Sequence, residues 1–454
     1  MRLLIFIITI LSALPALAGN LPDILVFLTD DLSVRDVGAY GATDVHTPAM
    51  DRLAREGMSF DRAFIVSPAC APSRAALLTG LTPAHNGAKA NHTYKRDGVA
   101  SLPPLLSALG YQTAAFGKVA HGKDAGRHGF DHTDRSLEAG RIAAWLAGRD
   151  PGRPVAVFVG THAPHVPWPE ADGYTADAVE IPPFHIDTPE TRQFRARYYT
   201  DVSQADKDLA DTRRVVEQAL GTDLLIAFSS DHGAQWPFGK WNLYEEGIRV
   251  PLMMAWPGHI TPGSRSSAMV SWLDLLPTLI DLAGGKVPEG LDGKSFASTL
   301  ENPSTPQRSR IFTTHDNDGR ANVYPIRSVR TERWKYIRNL HPAWIHSTHS
   351  DRFRKLDAGA YFWSWEEEAT RDSEAALILN RYRQRPGEEL YDLEADPDEL
   401  NNLAADSRHA GTLVQLRQEL DQWMESQGDD GHVDVDPWLP GQPGLLEPKD
   451  PRPE

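Results

Sequence analysis

The chain has 454 residues, 41% hydrophobic and 24% charged, with 35 Gly and 34 Pro. This is the make-up of a loop-rich globular protein. It excludes collagen, a coiled coil and wholesale disorder, and it suits one large α/β domain with a smaller companion as well as about three domains. The formal charge of −16 repels nucleic acid and other polyanions at long range, so an anionic ligand must be held by a local cluster of cations.

Arg2, the apolar run 3–11 and Leu14-Pro15-Ala16-Leu17-Ala18 have the layout of a secretory signal peptide over 1–18, cleaved near Ala18. The run is too short to span hydrocarbon and no later segment replaces it. The expected location is secreted or periplasmic, with no membrane span. A single cysteine, Cys70, can make no internal disulfide, so in an exported chain it is either a buried bystander or a residue with a job.

Short apolar runs at 24–28, 112–116, 155–159, 224–228 and 252–256 read as strands buried on both faces. Helical patterns at 48–56, 73–78, 102–109 and 199–220 lie between them. The alternation predicts an α/β fold with a large doubly wound, mostly parallel sheet, whose sites form beyond the carboxyl ends of the strands. Past about residue 305, short strands at 311–314, 326–330 and 335–337 and a helix at 409–426 predict a smaller α+β subdomain. The expected division is 19–305, 306–426 and an Asp-, Pro- and Gly-rich extended tail at 427–454.

Polar residues follow the strands. Adjacent carboxylates at a buried strand end, Asp30-Asp31, repel unless a cation lies between them, and Asp231-His232 adds a third carboxylate at an equivalent place. Together they suggest one hard divalent ion, Ca²⁺ ahead of Mg²⁺. Lys118 and His121 follow the second run, and His162 and His165 the third.

Cys70-Ala71-Pro72-Ser73-Arg74, continuing to Leu78-Thr79-Gly80, resembles the Cys-x-Pro-Ser-Arg signature of the type I, formylglycine-dependent sulfatases, which belong to the alkaline phosphatase superfamily. The resemblance implies that a formylglycine-generating enzyme oxidises Cys70 to Cα-formylglycine. It also implies a calcium site at Asp30, Asp31, Asp231 and His232 that the modified Cys70 shares; many members carry Asn where His232 stands. Gly117-Lys118-Val119-Ala120-His121 looks like the family's Gly-Lys-x-x-His element. Lys118 would then hold a sulfate oxygen, and His121 would bind the formylglycine hydroxyl and help take its proton. His162-Ala163-Pro164-His165 resembles the segment that protonates the leaving group, a role given to His165, with His162 structural. Lys240 matches the second sulfate-binding lysine. Arg74, beside the nucleophile, is expected to clamp the sulfate.

The stretches Tyr324-Pro325-Ile326-Arg327-Ser328-Val329-Arg330 and Glu389-Leu390-Tyr391-Asp392-Leu393 resemble heparan N-sulfatase (sulfamidase), whereas Gly-Lys-x-x-His and His-x-Pro-His-x-Pro are closer to iduronate-2-sulfatase. Both imply glycosaminoglycan sulfate as substrate. The expected reaction is hydrolysis of the N-sulfate of glucosamine in heparan-type saccharides. Alternatives are a carbohydrate O-sulfatase, a phosphonate or phosphodiester hydrolase of the same superfamily, and an inactive sulfated-glycan binder. Arg327, with His315 near it in sequence, is placed either in a sugar subsite or on a solvated strand face.

Overall fold

The computed structural model describes residues 21–352 and 359–437. The signal-peptide reading at 1–18 and the tail beyond 437 lie outside them. No helix of the described residues is long and apolar enough to cross a membrane.

The main sheet has eight strands: β1 (Asp23–Thr29), β2 (Met58–Phe64), β3 (Gln112–Gly117), β4 (His132–Asp134), β5 (Val155–Gly160), β6 (Leu224–Ser230), β7 (Leu252–Ala255) and β8 (Ser264–Ser271). Their order is β4-β3-β5-β1-β6-β7-β2-β8. β4, β3, β5, β1 and β6 pair in parallel, as do β2 and β8. β7, which the sequence places in a mostly parallel sheet, runs antiparallel to both β6 and β2. β5 and β6 are buried at every position, as apolar runs covered on both faces by helices must be.

The second sheet is antiparallel, in the order β12-β11-β10-β9, with β9 (Ile311–Asp318), β10 (Asn322–Arg330), β11 (Trp334–Asn339) and β12 (Glu388–Asp392). Ile311, Tyr324, Ile326 and Ile337 share one buried cluster with β1 and β6, so one apolar core runs through both sheets. The helix Ala410–Gln427 covers the other face through Leu413, Leu416 and Leu420. The predicted elements form, several of them longer than expected. The 73–78 helix starts earlier, at Cys70, the 199–220 helix begins at Pro189, and β9 runs on to Asp318.

Arg327 and His315 do not form a sugar subsite, nor do they face solvent. Arg327 is 2% exposed and His315 1%. The guanidinium pairs with Asp316 at 2.7 Å and with Asp429 at 2.5 and 2.9 Å, and also donates to the His315 carbonyl at 3.0 Å. His315 Nε2 meets Asn322 Oδ1 at 2.6 Å, and burial pushes its ring down to about 4. A buried cation held by two carboxylates is a structural fastener, here tying residue 429 to β10. Arg327→Ala strands both acids, so it should lower unfolding free energy by about 3–5 kcal/mol in urea denaturation.

Candidate active site

The parallel strands discharge their chemistry along one edge. Thr29 pairs with Ser230, so Asp30-Asp31 and Asp231-His232 leave the sheet side by side. Asp31 takes a left-handed φ of 66° and donates its N–H to Asp231 Oδ1 at 3.1 Å. β3 ends on Gly117, with φ 69°. A Cβ there would stand 2.1 Å from the Gly160 carbonyl, so only glycine lets the chain turn into Lys118 against β5. Cys70 is the first residue of the helix Cys70–Thr79, all ten of whose residues are buried. Asn91 Oδ1 accepts the Ala71 N–H at 3.1 Å, and Ser73 Oγ donates to the Asp231 carbonyl at 2.6 Å, which fixes the helix start over the acids.

Ligand atoms of Asp30, Asp31, Cys70, Asp231 and His232 all lie within 4.8 Å of one another. Three cations sit on the three carboxylates. Lys118 Nζ binds Asp30 Oδ2 and lies 3.6 Å from Cys70 Sγ. Lys240 Nζ binds both Asp31 oxygens at 2.9 and 2.8 Å. Arg74 reaches Asp231 Oδ2 at 2.9 Å and Asp30 Oδ1 at 3.3 Å, and its remaining donors go to the carbonyls of Thr29 and Lys118. Burial opposes ionisation of Asp30, but Lys118, His165, Arg74 and Lys240 outweigh it and hold the carboxyl well below the usual range. Burial wins at Cys70, whose thiol is pushed up despite Lys118 and Lys240, so it keeps its proton and is a poor nucleophile as it stands.

His232 tests whether a cation fits. The Gly233 carbonyl can only accept, so at 2.9 Å it takes the Nδ1–H, which turns Nε2 toward the acids. That Nε2 is buried without a hydrogen-bond partner among the described residues and faces Asp31 Oδ1 at 3.4 Å and Asp231 Oδ2 at 3.6 Å. A ring nitrogen and two carboxylates converging on one point are favourable only with positive charge between them. Three carboxylates and one imidazole nitrogen suit a divalent ion, with more nitrogen character than an all-oxygen calcium cage.

Above the cluster lies a cavity of about 560 Å³ lined by Cys70, Lys118, His121, His162, His165 and Lys240, among others. His165 donates Nδ1–H to the Val166 carbonyl at 2.6 Å, leaving Nε2 4.0 Å from Asp31 Oδ2. Burial, with Lys240 beside it, pushes this ring down to about 4. His121 is pushed down to about 3 by burial and Lys118. His162, structural by the sequence reading, stands on the cavity wall, 3.9 Å from Asp30 Oδ2. Arg74 is the correction here. It is fully buried, is not on the cavity wall, and turns every donor group to the carboxylates and carbonyls, so it organises the acid cluster and does not clamp sulfate.

Sequence reasoning misses Asn91, His92, Arg135, Trp241 and Asp318, which also line the cavity. Asp318 ends β9 as Asp30 follows β1, and the same strand-end signal applied to the second sheet would have found it. Lys240 owes its place to a strained loop. Phe238 and Trp241 have φ of 68° and 67°, and Glu245 ties the loop to Lys335 of β11 at 2.8 Å.

Residues 22–141 and 139–285 match the Sulfatase family, and residues 231–346 match "N-sulphoglucosamine sulphohydrolase, C-terminal". The chain is 30% identical over 489 residues to human N-sulphoglucosamine sulphohydrolase, covering 94% of this chain and 93% of that protein. It is 31% identical over 427 residues to an ulvan-active sulfatase of Formosa agariphila, covering 90% and 81%. A solved structure described as a 2-O GAG sulfatase superposes with a TM-score of 0.70 at 23% identity, covering 92% and 95%. A phosphonate monoester hydrolase from Silicibacter pomeroyi superposes with a TM-score of 0.68 at 17% identity, covering 90% and 96%, which speaks to the fold alone. With a buried cysteine opening a helix over paired strand-end acids, and with more than half its length matching the family, this chain belongs to the sulfatases.

Proposed function

We propose that the protein hydrolyses the N-sulfate of glucosamine in heparan-type saccharides, using a formylglycine derived from Cys70. The observation that carries the chemistry is Cys70 at the first position of a buried helix, 3.6 Å from both Lys118 Nζ and Asp30 Oδ1. The free N–H groups and positive dipole end of that helix favour an anion there. A protonated thiol in this place attacks poorly, and its sulfated product would be a dead end. A hydrated aldehyde supplies one hydroxyl to attack sulfur and a second to expel the sulfate.

Asp30, Asp31, Asp231 and His232 would hold the divalent ion, which would offset their charge and supply a Lewis acid at this site. Lys118 and Lys240 now spend their ammonium charge on Asp30 and Asp31. With those carboxylates otherwise neutralised, both ammonium groups turn to a sulfate in the cavity, where charge stabilisation is usually the largest catalytic contribution. His165, pushed down to about 4 despite Asp31 nearby, is neutral at pH 7 with Nε2 unprotonated, so it acquires its proton only when the substrate adds negative charge beside it. The substrate itself thus loads the acid that the departing amine needs.

The N-sulfate reading rests on the near full-length likeness to the human sulphohydrolase and on the second match over 231–346. Arg135, exposed on the cavity rim with no hydrogen-bond or ion-pair partner among the described residues, supplies the cation for a further acidic group of the saccharide. The likeness to the ulvan-active sulfatase supports a carbohydrate O-sulfatase as the second reading.

Incubation of the matured protein with N-, 2-O- and 6-O-sulfated saccharides should release sulfate from the N-sulfated member; release from an O-sulfated member alone selects the second reading. His165→Ala should slow saccharide turnover about 10²–10⁴-fold but cost far less on an activated aryl sulfate, whose leaving group needs no proton. Equal losses on the two substrates reject the assigned role.

A further inference from the structure

A second polar chain runs beside the nucleophile and uses residues that the mechanism above leaves idle. Asp318, 4% exposed at the end of β9, accepts hydrogen bonds at Oδ2 from Trp241 Nε1 at 2.9 Å and from Asn91 Nδ2 at 2.8 Å. Its Oδ1 lies 3.3 Å from His92 Nε2. His92 Nδ1 in turn lies 2.7 Å from His121 Nε2, with the two rings edge to face at 68°. His92 takes a left-handed φ of 62°, a conformation a non-glycine residue keeps only when its surroundings enforce it.

The proton positions follow from what each atom can do. Burial disfavours the Asp318 charge, but the bonds from His92 and Asn91 and the nearby His349 outweigh it and keep the carboxylate ionised. A carboxylate only accepts, so His92 Nε2 carries hydrogen. The bond to Asp318 raises the pKa of the His92 ring, so the relay belongs to the pH range above it, where His92 is neutral; there Nδ1 is an acceptor, and the hydrogen between the rings belongs to His121 Nε2. His121 Nδ1 is left with its lone pair, and this atom is buried with no partner among the described residues.

We propose that Asp318 and His92 are positioning residues that lock His121 in the Nε2–H tautomer, so that Nδ1 is the base for the residue-70 hydroxyl. This rests on the sulfatase reading, which gives His121 that proton. His92 is flanked by Asp318 from β9, by His121 after β3, and by Lys118 and Lys240 from the two lysine segments. Protonating His92 would put a second hydrogen between the rings, drive His121 to the Nδ1–H form and remove the base. Asn91 couples the chain to the nucleophile, because its side chain binds both Asp318 and the N–H of Ala71.

The test is His92→Ala in the matured protein, assayed with an aryl sulfate, alongside nitrogen-15 NMR of the His121 ring. The relay predicts a kcat loss of about 10- to 100-fold, as for removal of other groups that orient a catalytic residue, with KM within about twofold. It also predicts an Nε2–H signal for wild-type His121 that disappears in the variant. Asp318→Asn, which keeps the volume of the side chain, serves if His92→Ala does not fold, and should show the same kcat loss. An unchanged kcat, a loss carried by KM alone, or an Nδ1–H tautomer in the wild type overturns the relay. A wild-type protein that fails on every sulfate ester overturns the sulfatase reading instead, and the NMR result still decides the tautomer.

Discussion

Asp30, Asp31 and Asp231 converge in a space that water does not reach, and three like charges cannot stay ionised there without an equal supply of positive charge. Arg74, Lys118 and Lys240 supply it. Their contributions differ in kind. Arg74 is sealed in by two carboxylates and two carbonyls and has nothing left to offer a substrate, whereas the lysines stand on the cavity wall with ammonium groups that can change partners. A site able to exchange lysine for a divalent ion at its acids has a ready source of cations for an anionic ester. The formal net charge of −16 makes that local reserve necessary.

The second sheet takes part in this arrangement. β9 delivers Asp318 to the cavity wall, and β11 holds the Lys240 loop through the pair between Lys335 and Glu245. Glu399 shares Lys335 at 2.9 Å, which binds the segment after β12 to the same anchor. Since one apolar core spans both sheets, loosening the smaller sheet would loosen the site. The buried pairing of Arg327 with Asp316 and Asp429 therefore belongs to the support of the active site rather than to its surface.

Much of this was legible because buried parallel strands leave a plain trace: an apolar run followed at once by a polar residue. That trace located Asp30, Lys118, His165 and Asp231 and the edge where they meet. It carries no direction, so β7, apolar and short, was indistinguishable from its parallel neighbours. β2 and β8 escaped because Asp61 and Arg62 interrupt the first and serines dominate the second. Arg327 shows the limit most clearly. A lone arginine on a strand is equally consistent with a ligand, a solvated face or a buried fastener, and the partner that decides the matter lies 102 positions away. Arg74 sits one helical turn beyond Cys70, a spacing that fixes a common face but not whether that face looks into the cavity or the sheet.

The claim beneath all of this is that the acid cluster is a divalent-cation site with lysines as stand-ins. Calorimetric titration of Ca²⁺, and separately Mg²⁺, into chelator-treated protein tests it most directly, with Asp31→Asn as the control and thermal unfolding as a parallel readout. The account predicts one ion bound per wild-type chain, a rise in melting temperature that grows with ion concentration as binding to the folded state requires, and loss of both in the variant. A folded wild-type chain that takes up neither ion, with Lys118 and Lys240 remaining on their carboxylates, would contradict it.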